Sequence, residues 1–183
     1  MTKQTRSELR FLIDRIARIS ASEDWSDGLN PTQRAAISYL ARANRFSRMP
    51  SQVADYLSAT RGTVSQTLKA LARKGLVIEV RSESDRRSVS YEVTPEGQNA
   101  LEVDTLLDAA LADLGTKDAA NLTTSMKALA KCLLSAREGR SFGICKTCRH
   151  HRKGKTGAHC ALLEVELLPE ETEQLCHEHE AAA

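Results

Sequence analysis

Apolar positions along this chain recur at two periods, and the changes of period mark its elements. In "TRSELRFLIDRIARI" (5–19), Leu9, Leu12, Ile13, Ile16 and Ile19 fall three or four apart, which predicts an amphipathic helix with basic residues on its other side. The polar stretch "SEDWSDGLN" reads as a loop. Asn30-Pro31 predicts a helix start, Asn as the cap and Pro in the first turn, leading into "PTQRAAISYLARA". "RFSRMP" interrupts the pattern, and "PSQVADYLSA" predicts a short helix with Val53, Ala54 and Leu57 inward. Thr60 can cap the next helix, "RGTVSQTLKALARKGL". Its buried stripe is Val64, Leu68 and Leu71; Thr63, Ser65, Gln66 and Lys69 lie off that stripe. Gly75 stands where a left-handed residue ends a helix. The period then drops to two: "LVIEVRS" and "SVSYEVT" predict strands around the polar turn "ESDRRS", a hairpin with a basic tip.

"TPEG" opens another helix, with Thr94 as cap and Pro95 at its first position, predicted to run unbroken to about Gly115. "TKDAANLTTSMKALAKCLLSA" predicts a last long helix, with Leu122, Met126, Leu129 and Leu133 on one stripe and Gly139 closing it. Tyr39, Tyr56 and Trp25 read as packing residues. Beyond Ser141 the composition changes to cysteines, histidines and Lys/Arg, with acids later. No internal repeat is present.

The 183 residues are 41% hydrophobic but only 4% aromatic, an Ala/Leu-rich balance that favours helices. No apolar run is long enough to span a bilayer and "MTKQTRSELR" has no signal core, so a cytoplasmic protein without a membrane partner is expected. In a reducing compartment, clustered cysteines point to metal ligation or redox sensing before structural disulfides. There is no hydrolytic triad, phosphate loop or dinucleotide fingerprint, so no enzyme is expected. Net charge is only +2 but uneven: residues 42–87 hold ten Lys/Arg against four Asp/Glu, a local +6. Such an excess favours a polyanion.

Three helices followed by a basic hairpin describe a winged helix-turn-helix. A helix fits the major groove of DNA, with short polar side chains near its N-terminus reaching base edges, and an Arg-tipped hairpin suits the adjacent minor groove. "LNPTQRAAISYL", "MPSQVADYLSATRGTVSQTLKALARKGLV" and "SDRRSVSYEVTPEGQ" resemble MarR-type regulators over roughly residues 9–137. The most specific element is Asp85-x-Arg87 followed by a strand and "VTPEG". The resemblance implies a mainly α fold with a small β-hairpin wing, and a homodimer on a pseudo-palindromic site in double-stranded DNA. It divides the chain into an N-terminal dimerisation helix and loop (1–29), a winged helix-turn-helix (30–94), C-terminal dimerisation helices (95–139) and a cysteine-rich tail (140–183). By position it implies DNA contacts from Arg61, Thr63, Ser65, Gln66 and Lys69 on the recognition helix and from Arg86 and Arg87 on the wing. Asp85 would buttress the wing. Arg73 and Lys74 read as complementing the helix dipole. The resemblance also implies a small-molecule effector between the dimer and winged parts.

The tail carries Cys145-x2-Cys148-x11-Cys160-x15-Cys176. A C-x-x-C hook presents two thiolates to one ion from a tight turn, and two more cysteines complete four ligands. Lys146, Arg149, Arg152, Lys153 and Lys155 are expected to offset the thiolate charge. His159, His177 and His179 lie beside ligand cysteines and could substitute for one. Zinc is the common choice for such a site. Yet one hook with two isolated cysteines beside "ALLEVELL" is similar in spacing to high-potential iron–sulfur proteins, whose clusters take four thiolates. Both metals stay open at this point. Cys132, within the last long helix, reads as a buried small apolar residue or, alternatively, a sensing thiol. The leading expectation is a DNA-binding regulator whose affinity responds to a redox- or metal-sensing centre. The alternatives are a small-molecule-responsive regulator with structural zinc, and an electron-transfer or thiol redox protein.

Overall fold

Side-chain caps set the ends of the central helices. The computed structural model describes residues 1–23, 28–81, 88–136, 141–154 and 157–182. Helix α1 spans Lys3–Glu23. The Asn30 side chain accepts the Gln33 N–H at 2.8 Å at the head of α2 (Pro31–Arg42), and the Gln33 side chain accepts the Asn30 N–H in return. A short 3-10 turn, Arg45–Ser47, leads to α3 (Pro50–Leu57). Thr60 caps α4 (Arg61–Arg73) by accepting the Thr63 N–H at 3.1 Å, and Gly75, at φ 72°, turns the chain out of it. Strands β1 (Val77–Arg81) and β2 (Val89–Val93) pair antiparallel with Glu79 opposite Tyr91. The hairpin tip, with Asp85, Arg86 and Arg87, lies outside the described residues, as do Trp25 and Gly139.

Helices α2, α3 and α4 pack around Ile37, Leu40, Val53, Val64, Leu68, Leu71 and Val77, all fully buried. The predicted stripe of α4 is therefore the buried one. Tyr39 is buried too, its ring 4.4 Å from that of half-exposed Tyr56.

The helix predicted from Thr94 to about Gly115 is two helices. Helix α5 is only Pro95–Asn99, and α6 (Leu106–Ala112) begins afresh. Thr105 starts α6 with its own capping box, accepting the Asp108 N–H at 3.1 Å and donating to the Asp108 carboxylate at 2.7 Å. Val103, Asp104 and Thr105 are poor interior residues of a helix, and a local cap outcompetes continuation. Helix α7 (Thr116–Ala136) buries no residue. The stripes Leu9–Ile19 of α1 and Leu122–Leu133 of α7 both stay exposed within the chain.

The tail folds back onto the winged helix. Strands β3 (His151–Lys153), β4 (Ala158–Cys160) and β5 (Val165–Leu167) form an antiparallel sheet with β4 in the middle. Phe142 and Leu175 join the main core beside Tyr39 and Ala43. Among the described residues no helix is long and apolar enough to cross a membrane.

Candidate nucleic-acid interface and cysteine cluster

Helix α4 rests on Val64, Thr67, Leu68 and Leu71. That geometry turns Arg61, Thr63, Gln66 and Lys69 out to solvent and leaves Ser65 half-buried. Gln66, Lys69 and Arg73, at helical spacing, line one wall of a shallow groove; Glu79 and Tyr91 of the hairpin line the other. The Glu79 carboxylate is held by Arg81 Nε at 3.3 Å and by the Tyr91 hydroxyl at 3.3 Å. Burial first, then Glu79, raises the Tyr91 hydroxyl above its usual range. Thr63 is the least free of the predicted contacts, since its hydroxyl lies 2.8 Å from that of Thr60 within the cap.

Arg73 and Lys74 both stand at the C-terminal end of α4, where cations complement its dipole, but they reach in different directions. Arg73 faces the groove, one turn beyond Lys69. Lys74 instead ties α4 to the start of α2, donating to Gly28 O and to Gln33 Oε1, the latter at 3.1 Å.

The four tail cysteines gather around Cys145, and all are free of disulfides. Cys145 begins a 3-10 turn, and Cys148 N–H donates to Cys145 O at 3.0 Å. Cys160 ends β4, and Cys176 N–H donates to Gly143 O at 3.0 Å. Cys145, Cys160 and Cys176 are buried. Phe46, Leu163 and Val165 pack on the patch formed by Cys145, Cys160 and Leu167. Burial pushes the Cys145 thiol up to about 12, with Cys176, Cys160 and Cys148 adding to the rise in that order. Among the described residues no three His, Cys, Asp or Glu side chains close into a metal cage, so the sulfurs are grouped without converging on one point.

Three of the five basic residues take partners other than sulfur. Lys146 pairs with Glu173 at 2.6 Å and Arg149 with Glu180 at 2.7 Å, while Arg152 donates to the carbonyls of Arg149 and His151. The acidic end of the tail supplies nearer and better-solvated counter-charges than buried sulfur does. Lys155 lies outside the described residues. A hydrogen-bond donor reaches one sulfur instead, Glu180 N–H to Cys148 Sγ at 3.4 Å. Polar groups of Asn44, Glu178 and Ser47 beside Cys176 oppose the burial that raises its thiol.

The histidines divide differently from the sequence expectation. His177 uses one ring nitrogen on Asp55 (3.1 Å) and the other on Glu178 (2.9 Å). His179 uses its two on Ser141 (2.7 Å) and Thr147 (2.9 Å). His159 precedes Cys160 in β4 and so points to the opposite face of the sheet. His151, not singled out from the sequence, sits directly opposite Cys160 in the register, on the same face. Its Nε2 is buried without a hydrogen-bond partner. Only the register of β3 on β4 reveals it. Cys132 is exposed on α7, not buried, because α7 has no partner helix over that face within the chain.

Residues 27–88 match the MarR family model. That match takes in α2, α3, α4 and β1. No curated protein matches the chain. Among solved structures the chain is similar to the transcriptional regulator BldR from Sulfolobus solfataricus, at 25% identity over 72% of this chain and 99% of that one, with a TM-score of 0.56. Similar too are S. aureus MepR in a MepR–DNA complex (20% identity, 74% of this chain, 98% of that chain, TM-score 0.55) and Streptococcus pneumoniae FabT in complex with DNA (21%, 73%, 98%, 0.55). Under three quarters of this chain spans these structures almost end to end, so the remainder has no counterpart in them.

Proposed function

We propose that the chain is a homodimeric MarR-type transcription regulator that reads double-stranded DNA through α4 and its hairpin. The observation that carries this is the face of α4: Arg61, Gln66, Lys69 and Arg73 stand free beside the hairpin of a domain that matches the MarR family model, in a segment of local charge +6. MepR and FabT, similar in fold, are seen with DNA. The dimer follows from α1 and α7. Two long helices with apolar stripes left bare require a cover, and a second copy supplies the same stripes in return.

The tail is proposed to hold a metal centre ligated by Cys145, Cys148, Cys160 and Cys176. Four cysteines grouped so closely that three of them raise the thiol of Cys145, a hydrogen bond to Cys148 Sγ, and an orphaned His151 nitrogen on the Cys160 face of the sheet support it. N–H donors to sulfur stabilise thiolates and orient them, the usual outer arrangement around a metal. Four thiolates suit either a zinc ion or an iron–sulfur cluster. Such a cluster would supply a state sensitive to oxygen or iron supply. The chain's own residues shield it with Phe46, Leu163 and Leu167 and couple it to the domain above.

Two measurements test the reading. Lys69→Ala is expected to weaken binding to all duplexes and to lower the salt slope by about 0.9, as loss of one phosphate contact does. An unchanged slope removes Lys69 from the interface. Purification without oxygen separates the two metals: a brown protein with iron and sulfide on analysis establishes the cluster, a colourless protein carrying zinc establishes the zinc ion, and one carrying neither leaves a thiol redox tail. Metal uptake should also strengthen as pH rises from 6 to 9. The burial-raised thiols of Cys145 and Cys176 are protonated at neutral pH and must each release a proton on ligation, so lower proton concentration favours the bound state. Affinity independent of pH across that range would contradict thiolate ligation.

A further inference from the structure

The tail is anchored on the helix-turn-helix itself. Leu175 N–H donates to Arg42 O at 2.8 Å, and Asn44 N–H donates to Leu175 O at 2.9 Å. Leu175 thereby joins the connection between α2 and α3 as a short parallel bridge with Ala43. Cys176 follows, with the Asn44 and Ser47 side chains beside its thiol. His177 N–H donates to Ser47 Oγ at 2.9 Å, and Ser47 Oγ donates to Asn44 Oδ1 at 2.7 Å. The Tyr39 hydroxyl closes the turn by donating to the Ser47 carbonyl at 2.7 Å. Asn44 and Ser47 are each only 1% exposed. Polar side chains that deep are costly unless satisfied; Asn44 and Ser47 satisfy each other, and the tail adds His177 N–H to Ser47.

The surrounding contacts make the docking specific. Arg45 pairs with buried Glu171 at 2.8 Å and donates to Glu166 O at 3.0 Å. Phe46 packs on the Cys145–Cys160 patch. Phe142 holds a left-handed φ of 46°, unusual for a bulky residue, while its ring meets Tyr39, Tyr56 and His177 edge-on. Strain of that kind persists only where packing overrides it.

We propose that Asn44 and Ser47 are positioning residues of the cysteine centre, so that filling the centre locks the α2–α3 connection and emptying it releases that connection. This rests on the metal reading above. Cys176 is the joint: it belongs to the four-cysteine group on one side and to the Asn44–Ser47 pair on the other. With the centre filled, its sulfur is fixed and Leu175–His177 stays seated. With the centre empty, the segment keeps only its own few hydrogen bonds, and Asn44 and Ser47 turn to water. The α2–α3 connection feeds directly into α3, which packs on α4, so its two states present the recognition helix differently. Coupling in the thermodynamic sense requires that the two states differ in DNA affinity.

The test uses the full chain, reconstituted with ferrous iron and sulfide or with zinc, and the same chain after chelation. Hydrogen exchange at Asn44 and Leu175 should speed up by at least about tenfold on metal loss, while Val64–Leu71 in α4 stays protected. Asn44→Asp keeps the shape and the Ser47 bond but presents a carboxylate to the sulfur. It should lose metal about tenfold faster than wild type and shift the absorption of the loaded protein, as a changed outer partner of a ligand does. Ser47→Ala should show the same direction more weakly. Equal protection of Asn44 and Leu175 with and without metal overturns the proposal, as does an Asn44→Asp protein with unchanged absorption and metal release. A wild-type chain that takes up neither iron–sulfide nor zinc refutes the metal reading instead, and is recognised before any exchange is measured.

Discussion

Replacing Gly97 by alanine is expected to destabilise the fold by about 2 kcal/mol, although alanine is the better helix former, because overpacking against a fixed backbone outweighs propensity. Thr94 starts α5 by accepting the Gly97 N–H at 3.1 Å and donating to Gly75 O at 2.7 Å. Thr94 N–H also donates to Leu76 O at 3.1 Å. These three bonds press the first turn of α5 onto the end of α4 and the start of β1. A Cβ on Gly97 would collide with the Leu76 carbonyl and lie 2.7 Å from Val93 Cγ1 and 3.1 Å from Ile37 Cδ1. The carbonyl cannot retreat without giving up the Thr94 bond, so the strain spreads into the hairpin. Urea unfolding should show a midpoint lowered by about 1 M with the slope preserved. A midpoint at or above the wild-type value would mean that α5 can lift away, and would remove this account of why glycine ends the "TPEG" stretch.

Capping residues and stripes were legible because both act within a few residues. Asn30, Thr60 and Thr94 each accept the N–H three positions on, as their types and spacing predict, and Val64, Leu68 and Leu71 bury as a unit. The break at residues 100–105 was legible in principle, since Thr105 and Asp108 form a capping box; the apolar run through "NALEVDTLLDAALADL" concealed it. The tail's seat was not legible. His177 meets Asp55 and Ser47 across 122 and 130 residues of chain, and no local pattern encodes a pairing at that distance. The same limit explains the histidines. Adjacency to cysteine in sequence favoured His159, His177 and His179, whereas adjacency across a β-ladder places His151 opposite Cys160. Cations near cysteines in sequence likewise proved to be partners of glutamates that only the fold brings close.

The tail follows α7 in the chain, while its contacts run from Leu175 and His177 through Asn44 and Ser47 into the turn that leads to α3. A signal on that path need not alter the dimer, and DNA affinity and dimer affinity are separable readouts.

Cys145→Ser is expected to abolish metal binding and melt the tail while leaving the winged helix folded. Cys145 is the member of the group whose thiol feels all three others, and it lies in the apolar patch under Phe46 and Leu167. Without a metal, exchanging a buried thiol for a hydroxyl is a modest change, costing about 1–3 kcal/mol for an unpaired polar group. With a four-thiolate centre, the same change removes a ligand on which the fold of 141–182 depends, since the small three-stranded sheet adds few buried apolar residues of its own. The main core of Ile37, Leu40, Val64, Leu68 and Leu71 lies outside that patch and should hold. Metal content should fall from one centre per chain to none, and protease should trim the tail back to about Ser141, yielding a resistant fragment that still unfolds cooperatively. Cys132→Ser, exposed and away from the group, should do neither. If Cys145→Ser protein keeps its tail intact against protease, at a stability within about 1 kcal/mol of wild type, then packing alone holds the tail, and the cysteines are not joined by a metal.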